Sequence, residues 1–175
     1  DQPTLGPAPT TAESVIVEVT DPSCPTCRSF HDQEFPRIVS DLVDPGRTAF
    51  VVRNVDWVYD WAPQASAALE AVHERDPGAY WDLLAHYFDR QPDLSTDSVL
   101  SATEAHLEAT AVDGVAVVEA VAAGEYDDAV AADVTAAREA GAEGQPYFFL
   151  FKDGALRTTF RGAQSYDVFA SSLGY

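Results

Sequence analysis

Apolar residues along this chain follow two different periods. Over residues 13–20, Val15, Val17 and Val19 alternate with Ile16 and Glu18. That period of two predicts a strand with the valines on one face and Ile16 and Glu18 on the other. Residues 48–55, Thr-Ala-Phe-Val-Val-Arg-Asn-Val, form a nearly unbroken apolar run and predict a second, buried strand. Between the two, Phe30, Ile38, Val39 and Leu42 recur at roughly helical spacing, so a helix is predicted over 25–43. Pro36 falls inside it and predicts a kink. Asp44-Pro45-Gly46 ends it with turn chemistry. Strand, helix, strand in this order implies a right-handed parallel unit.

The pattern changes at Trp61. Alanine-rich amphipathic stretches predict helices over 64–75, 78–90, 96–109, 112–123 and 125–140, broken at Asp76-Pro77, Gln91-Pro92-Asp93, Asp113-Gly114 and Gly124. Tyr80, Trp81, Tyr87 and Phe88 recur at helical spacing and read as core. Strand character returns at 147–152, and Asp153-Gly154 predicts a hairpin into a strand over 155–161. A last helix is expected over 165–173. Residues 1–12, rich in proline and without periodicity, read as a flexible leader.

The chemistry converges on one junction. Asp21-Pro22-Ser23-Cys24-Pro25-Thr26-Cys27 links the first strand to the first helix and holds the only two cysteines in 175 residues. A thiol at a helix N-terminus faces unpaired N–H groups and the positive end of the helix dipole. Both favour the thiolate, the species that attacks disulfides. Cys24 lies nearer the helix start and reads as the attacking sulfur; Cys27, one turn further in, reads as the resolving one. Pro25 suits the first turn, where its missing N–H costs nothing. Glu18, an acid among valines, has two readings: an exposed strand end or a buried functional carboxylate. His31 follows Cys27 by four residues and shares its helix face. A metal site using Cys24, Cys27 and His31, with His73, His86 or His106 as fourth ligand, is the competing chemistry. Proline between the cysteines and a strand before them favour redox.

Composition narrows the partners. A net charge of -19, with Lys152 as the only lysine among ten basic residues, makes nucleic acid an unfavourable partner and an anionic membrane a repulsive one. A heavily solvated acidic surface adapted to high salt is the simplest account. Two cysteines are too few for a structural disulfide framework. No apolar run reaches the ~18 residues that span a bilayer. The chain contains no methionine, so a start codon upstream of Asp1 and removal of the intervening segment are expected.

Together the split β-α-β and β-β-α halves, with Cys-x-x-Cys after the first strand, resemble the thioredoxin fold, an α/β class with a mixed sheet. The helical block between the halves narrows the resemblance to the DsbA-like family, with an inserted all-helical subdomain over 61–141 and the thioredoxin-fold domain over 13–60 and 142–175. Residues 24–36, Cys-Pro-Thr-Cys-Arg-Ser-Phe-His-Asp-Gln-Glu-Phe-Pro, are similar to the active-site helix of Gram-positive and archaeal members. Ala79-Tyr80-Trp81-Asp82-Leu83-Leu84 is similar to a helix of their inserted domain, and Gly144-Gln145-Pro146-Tyr147-Phe148-Phe149 to their Gly-Thr-Pro-Thr-Phe-Phe loop. The resemblance implies a cis Pro146, with the Gln145 backbone against the active-site disulfide and pairing with substrate. Gln145 and Tyr147 depart from the family's residues there, so with Pro25 and Thr26 they are expected to shape substrate specificity. The resemblance also places a buried acid six residues before the first cysteine, where Glu18 stands, as proton acceptor and relay for Cys27.

The implied activity is dithiol–disulfide exchange with cysteine-containing proteins through a redox-active Cys24–Cys27 disulfide, with no other cofactor. An extracytoplasmic oxidase, recharged by a quinone-linked membrane partner of the DsbB or vitamin K epoxide reductase type, is the first expectation, and a monomer is expected. A cytoplasmic reductase of thioredoxin type, recharged by a flavoenzyme, is the alternative. A redox-inert binding module or a glutathione-dependent enzyme of the same fold fits less well, because both cysteines are present. Threonine at position 26 offers the thiolate at most a hydroxyl hydrogen bond, so a potential between those of DsbA and thioredoxin, about −120 and −270 mV, is expected.

Overall fold

The computed structural model describes residues 2–175. Its centre is a five-stranded mixed sheet with strand order β1-β3-β2-β4-β5. The strands are β1 (Thr4–Leu5), β2 (Ser14–Thr20), β3 (Thr48–Asn54), β4 (Tyr147–Lys152) and β5 (Ala155–Arg161). β2 and β3 are parallel; every other pairing is antiparallel. The central strand β2 sets the register, with Ile16 between Phe50 and Leu150, and Glu18 between Val52 and Phe148. Its alternation divides the core. Ile16, Phe50, Val52, Phe148 and Leu150 join the main apolar cluster, whereas Val17, Val19 and Phe149 join a smaller one on the opposite face.

The helices are α1 (Pro25–Gln33), α2 (Phe35–Ile38), α3 (Ala62–Arg75), α4 (Pro77–Arg90), α5 (Val99–Leu107), α6 (Gly114–Ala122), α7 (Asp127–Glu139) and α8 (Tyr166–Leu173). Residues 25–43 are therefore not one kinked helix. The chain breaks at Glu34 (φ −114°), two residues ahead of the proline, restarts as α2 and ends in a π-helical turn, Val39–Val43. Pro36 has no N–H to donate and sits in the first turn of α2, where none is needed. Glu34 Oε2 accepts the backbone N–H of Tyr166 at 2.7 Å, so the break also secures the start of α8.

Two further expectations are corrected. Residues 1–12 are not a free leader, apart from Asp1, which lies outside the described residues. Thr4 and Leu5 pair with Val51 and Phe50, and Val52 donates its N–H to Pro3 at 3.0 Å. Two residues are too few to show a period, yet they cover the edge of β3 that would otherwise expose unpaired backbone groups. Gly6 (φ 83°) lets the chain leave that edge, since a Cβ there would lie 2.6 Å from Thr48 O. Second, α7 does not stand with the inserted helices alone. Its Ala137 lies against Val19 and Phe149, so α7 covers the far face of the sheet. Among the aromatics of α4, Tyr80, Tyr87 and Phe88 are core, and the Tyr80 hydroxyl donates to Asn54 Oδ1 at 3.1 Å.

Candidate active site

Beyond Thr20 a single carboxylate turns the chain. Asp21 Oδ1 accepts the N–H and hydroxyl of Ser23 at 2.7 and 2.6 Å. Its Oδ2 accepts the N–H groups of Trp57 and Val58 at 2.7 and 2.9 Å. The loop after β2 is thereby tied to the loop after β3, and Ser23 Oγ adds a third tie by accepting Tyr59 N–H at 3.1 Å. Burial pushes the Asp21 carboxyl up, and the hydrogen bonds from Ser23, Val58 and Trp57 pull against that. Gln91, just past α4, braces the same loop by donating Nε2–H to the carbonyls of Pro22 and Cys24 at 2.9 and 3.0 Å.

Cys24 then caps α1. Its backbone is extended (φ −78°, ψ 120°), and its sulfur accepts the Cys27 N–H at 3.3 Å. The two sulfurs are free thiols. A hydrogen bond from the Cys27 thiol, joined by the N–H groups of Cys27 and Thr26, brings the Cys24 thiol down to about 7, against burial and the nearby Asp21 charge. Burial drives the Cys27 thiol the other way, well above its ordinary value, and the Cys24 sulfur and the Glu18 charge add to the effect. The pair is thus polarised into one thiol that readily loses its proton and one that holds it. On its outer side Cys24 Sγ lies 3.9 Å from the carbonyl oxygen of Gln145, which precedes a cis Pro146. Gly144 (φ 111°) presents that turn, and Gly162 N–H donates to Pro146 O at 2.7 Å.

Below the sulfurs Glu18 is fully buried. Its Oε2 lies 2.9 Å from His31 Nε2, and its Oε1 has no hydrogen-bond partner. The His31 ring is held between Phe35 and Phe88, with centroids 4.5 and 4.6 Å away. Beside the thiols an open groove of about 770 Å³ runs between α1 and the loops after β3 and α4, lined by Pro25, Arg28, Tyr59, Trp61, Gln91 and Leu94.

A family model described as thioredoxin matches residues 5–161. The chain belongs to the thioredoxin family. The disulfide bond formation protein D of Bacillus subtilis is 36% identical over 100 residues, which span 56% of this chain and 43% of that protein. A probable disulfide bond formation protein D of Bacillus cereus is 25% identical over 76 residues, 43% of this chain and 35% of that one. The aligned stretches thus span less than half the length of these curated relatives. Among solved structures, oxidised BdbD from Bacillus subtilis superposes with a TM-score of 0.83 at 22% identity, covering 99% of this chain and 94% of that one. DsbA from Chlamydia trachomatis gives 0.78 at 16% identity, with 97% and 87% covered. The fold is therefore the thioredoxin fold with inserted helices seen in DsbA structures.

In this thioredoxin-family chain Cys24, Cys27, Glu18, Gln145 and Pro146 come together, with Pro25 and Thr26 exposed at the mouth. Tyr147 does not join them. It pairs with Val19 and shares that strand residue's far face, its ring 5.1 Å from Phe149 and its hydroxyl donating to Thr159 at 3.1 Å. One step along a strand reverses the side chain, so the residue after Pro146 turns away from the thiols. His31 faces Glu18 rather than the sulfurs. His86 and His106 stack on each other at 4.2 Å. Among the described residues no group of three or more His, Cys, Asp or Glu side chains is arranged to hold a metal ion. Sequence reasoning missed Asp21, Ser23 and Gln91. An Asp-Pro-Ser run ahead of a helix is a legible turn signal, but nothing local marks Gln91.

Proposed function

We propose that this protein is a dithiol–disulfide oxidoreductase that exchanges disulfides with cysteine-containing protein substrates through Cys24 and Cys27. The observation that carries this reading is the opposite treatment of the two sulfurs. Cys24 is held at about 7 on a helix N-terminus, and Cys27 is buried with its proton retained. In the oxidising direction a substrate thiolate attacks Cys24 of the Cys24–Cys27 disulfide, that bond breaks, and Cys27 leaves and takes a proton. A second substrate thiolate then attacks the substrate sulfur of the mixed disulfide, expelling Cys24 as thiolate. Two electrons pass from the substrate to the dithiol. In the reducing direction the same steps run backwards, and Glu18 is the nearby group able to accept the Cys27 proton.

The oxidising role outside the cytoplasm is favoured by the names of the Bacillus relatives, which are disulfide bond formation proteins. It requires a membrane reoxidase, such as a quinone-linked enzyme, to return Cys24–Cys27 to the disulfide. No helix among the described residues is long and apolar enough to cross a membrane. The Gln145 carbonyl, Pro25 and Thr26 form the edge on which an extended substrate segment rests. Equilibration with glutathione at pH 7 tests the direction. A potential well above that of thioredoxin, about −270 mV, is expected, and a value at or below it would reassign the protein as a reductase.

A further inference from the structure

We propose that His31 is the positioning residue for Glu18, donating its Nε2–H to Oε2 so that Oε1 is left open to take the Cys27 proton. The inference rests on the oxidoreductase reading and names the group that orients the base of its second step. Glu18 has no accessible surface, and a carboxylate so buried needs a hydrogen-bond donor. His31 Nε2, 2.9 Å from Oε2, is placed to donate in the tautomer that carries its proton there. An ionised carboxylate cannot donate, so the hydrogen on this bond belongs to the imidazole. The other oxygen, Oε1, is buried and unpartnered, an arrangement that a purely structural carboxylate would not keep. Cys27 lies within reach of the Glu18 charge.

Phe30, Phe35 and Phe88 fix the His31 ring. Its side chain is still 9% exposed, and it lines a largely apolar cavity of about 210 Å³. The other titratable groups on that cavity are Asp32 of α1, which also pairs with Arg28 at 3.5 Å, and Asp89 of α4. Held this way, Glu18 serves the second step of the exchange with its free oxygen. In that step the Cys27 S–H bond breaks, Glu18 Oε1 gains the proton, and the Cys27 thiolate attacks Cys24 Sγ. The Cys24–substrate S–S bond breaks and substrate leaves as thiolate.

The test mixes the dithiol protein with a disulfide-bearing peptide, quenches with acid at intervals, and counts the Cys24–peptide mixed disulfide by mass from pH 5 to 8. His31→Leu should lengthen the life of that adduct about tenfold at pH 7, the low end of general-base effects. His31→Gln keeps an N–H at the Nε2 position and should recover most of the lost rate. Normal adduct formation followed by clearance indifferent to His31→Leu, or His31→Gln clearance as slow as that of His31→Leu, would overturn the inference alone. If His31→Leu does not fold, His31→Phe, which keeps a ring but lacks the N–H, takes its place. A wild-type protein that forms no adduct at Cys24 would overturn the oxidoreductase reading and this inference with it.

Discussion

The two ends of the first turn of α1 make opposite use of burial. At the outer end Cys24 is 4% exposed, yet it is surrounded by donors and opens onto the Gln145 carbonyl and the exposed Pro25 and Thr26. At the inner end Cys27 is 0% exposed, and burial, the Cys24 sulfur and the Glu18 charge outweigh the one hydroxyl, of Thr20, that favours its thiolate. Accessible area barely separates them. What separates them is the hydrogen bonding: the Cys27 thiol and the N–H groups of Cys27 and Thr26 pull the Cys24 proton off, and desolvation, the Cys24 sulfur and the Glu18 carboxylate hold the Cys27 proton on. A reactive thiol therefore needs oriented donors more than it needs exposure.

That contrast is broken most completely by removing either sulfur. Cys27→Ala should accumulate covalent adducts with a disulfide-bearing peptide, because Cys24 still attacks and nothing clears the product. Cys24→Ala should accumulate almost none. Non-reducing electrophoresis of both variants reads the result; equal trapping would mean that the two ends are not differentiated. The next largest effect belongs to the inner end. Glu18→Leu should slow clearance of the mixed disulfide by about 10²-fold, the lower range for loss of a general base, while adduct formation at Cys24 changes little. Its melting temperature should fall, since the desolvation cost removed is outweighed by leaving the largely buried His31 without its partner. Equal slowing of both steps would show that Glu18 shapes the fold rather than the proton transfer.

How much of this could be read from the sequence depends on the range of the forces involved. The alternation that puts Ile16 and Glu18 on one face of β2 is local, and the hairpin at Asp153-Gly154 is encoded by two residues. The junction of strand, Cys24 and helix is legible because a proline in the first helical turn and a thiol at the cap are neighbours in the chain. β1 was illegible because a two-residue strand has no period. The reach of Asp21 to Trp57 and Val58 crosses from one loop to another, and only the packed sheet brings those loops together. Glu18 and His31 were each visible, but their 2.9 Å contact needs β2 and α1 stacked in register. Spacing alone had offered His31 to the sulfurs.

A smaller effect sharpens the contrast thermodynamically. The Cys24 thiol lies at about 7 in the folded dithiol and at 9.0 as an ordinary thiol. A depressed folded value adds stability that is fully present above the unfolded value and is lost as pH falls through the folded one. The wild-type dithiol should therefore gain stability relative to Cys24→Ala between pH 7 and 9, on the order of 2 kcal/mol for a thiol lowered this far. Below pH 7 the gain should vanish. Cys27, shifted upward, adds nothing of this sign in the same window. Urea titrations of both proteins at pH 6, 7, 8 and 9 read the slope; parallel curves would mean that the donors around Cys24 do not favour its thiolate.

The smallest effect comes from outside the sheet and asks whether the inserted helices belong to the site. Gln91 sits past the end of α4, and its side-chain amide donates to both Pro22 O and Cys24 O. The Cys24 carbonyl keeps a second partner in Arg28 N–H at 3.0 Å, so only Pro22 O depends on Gln91 among these contacts. Gln91→Ala should thus cost about 1 kcal/mol, the net value of an ordinary hydrogen bond, or roughly 2–4 °C in melting temperature for a chain of this size. The loss should fall on the outer end alone. Alkylation of Cys24 should change, because its cap is less firmly held, and alkylation of the buried Cys27 should not, because Cys27 rests on the sheet and on Glu18. A Gln91→Ala protein in which both cysteines become equally reactive would show that the helical block braces all of α1, and that the two ends of its first turn are less independent than their hydrogen bonds make them.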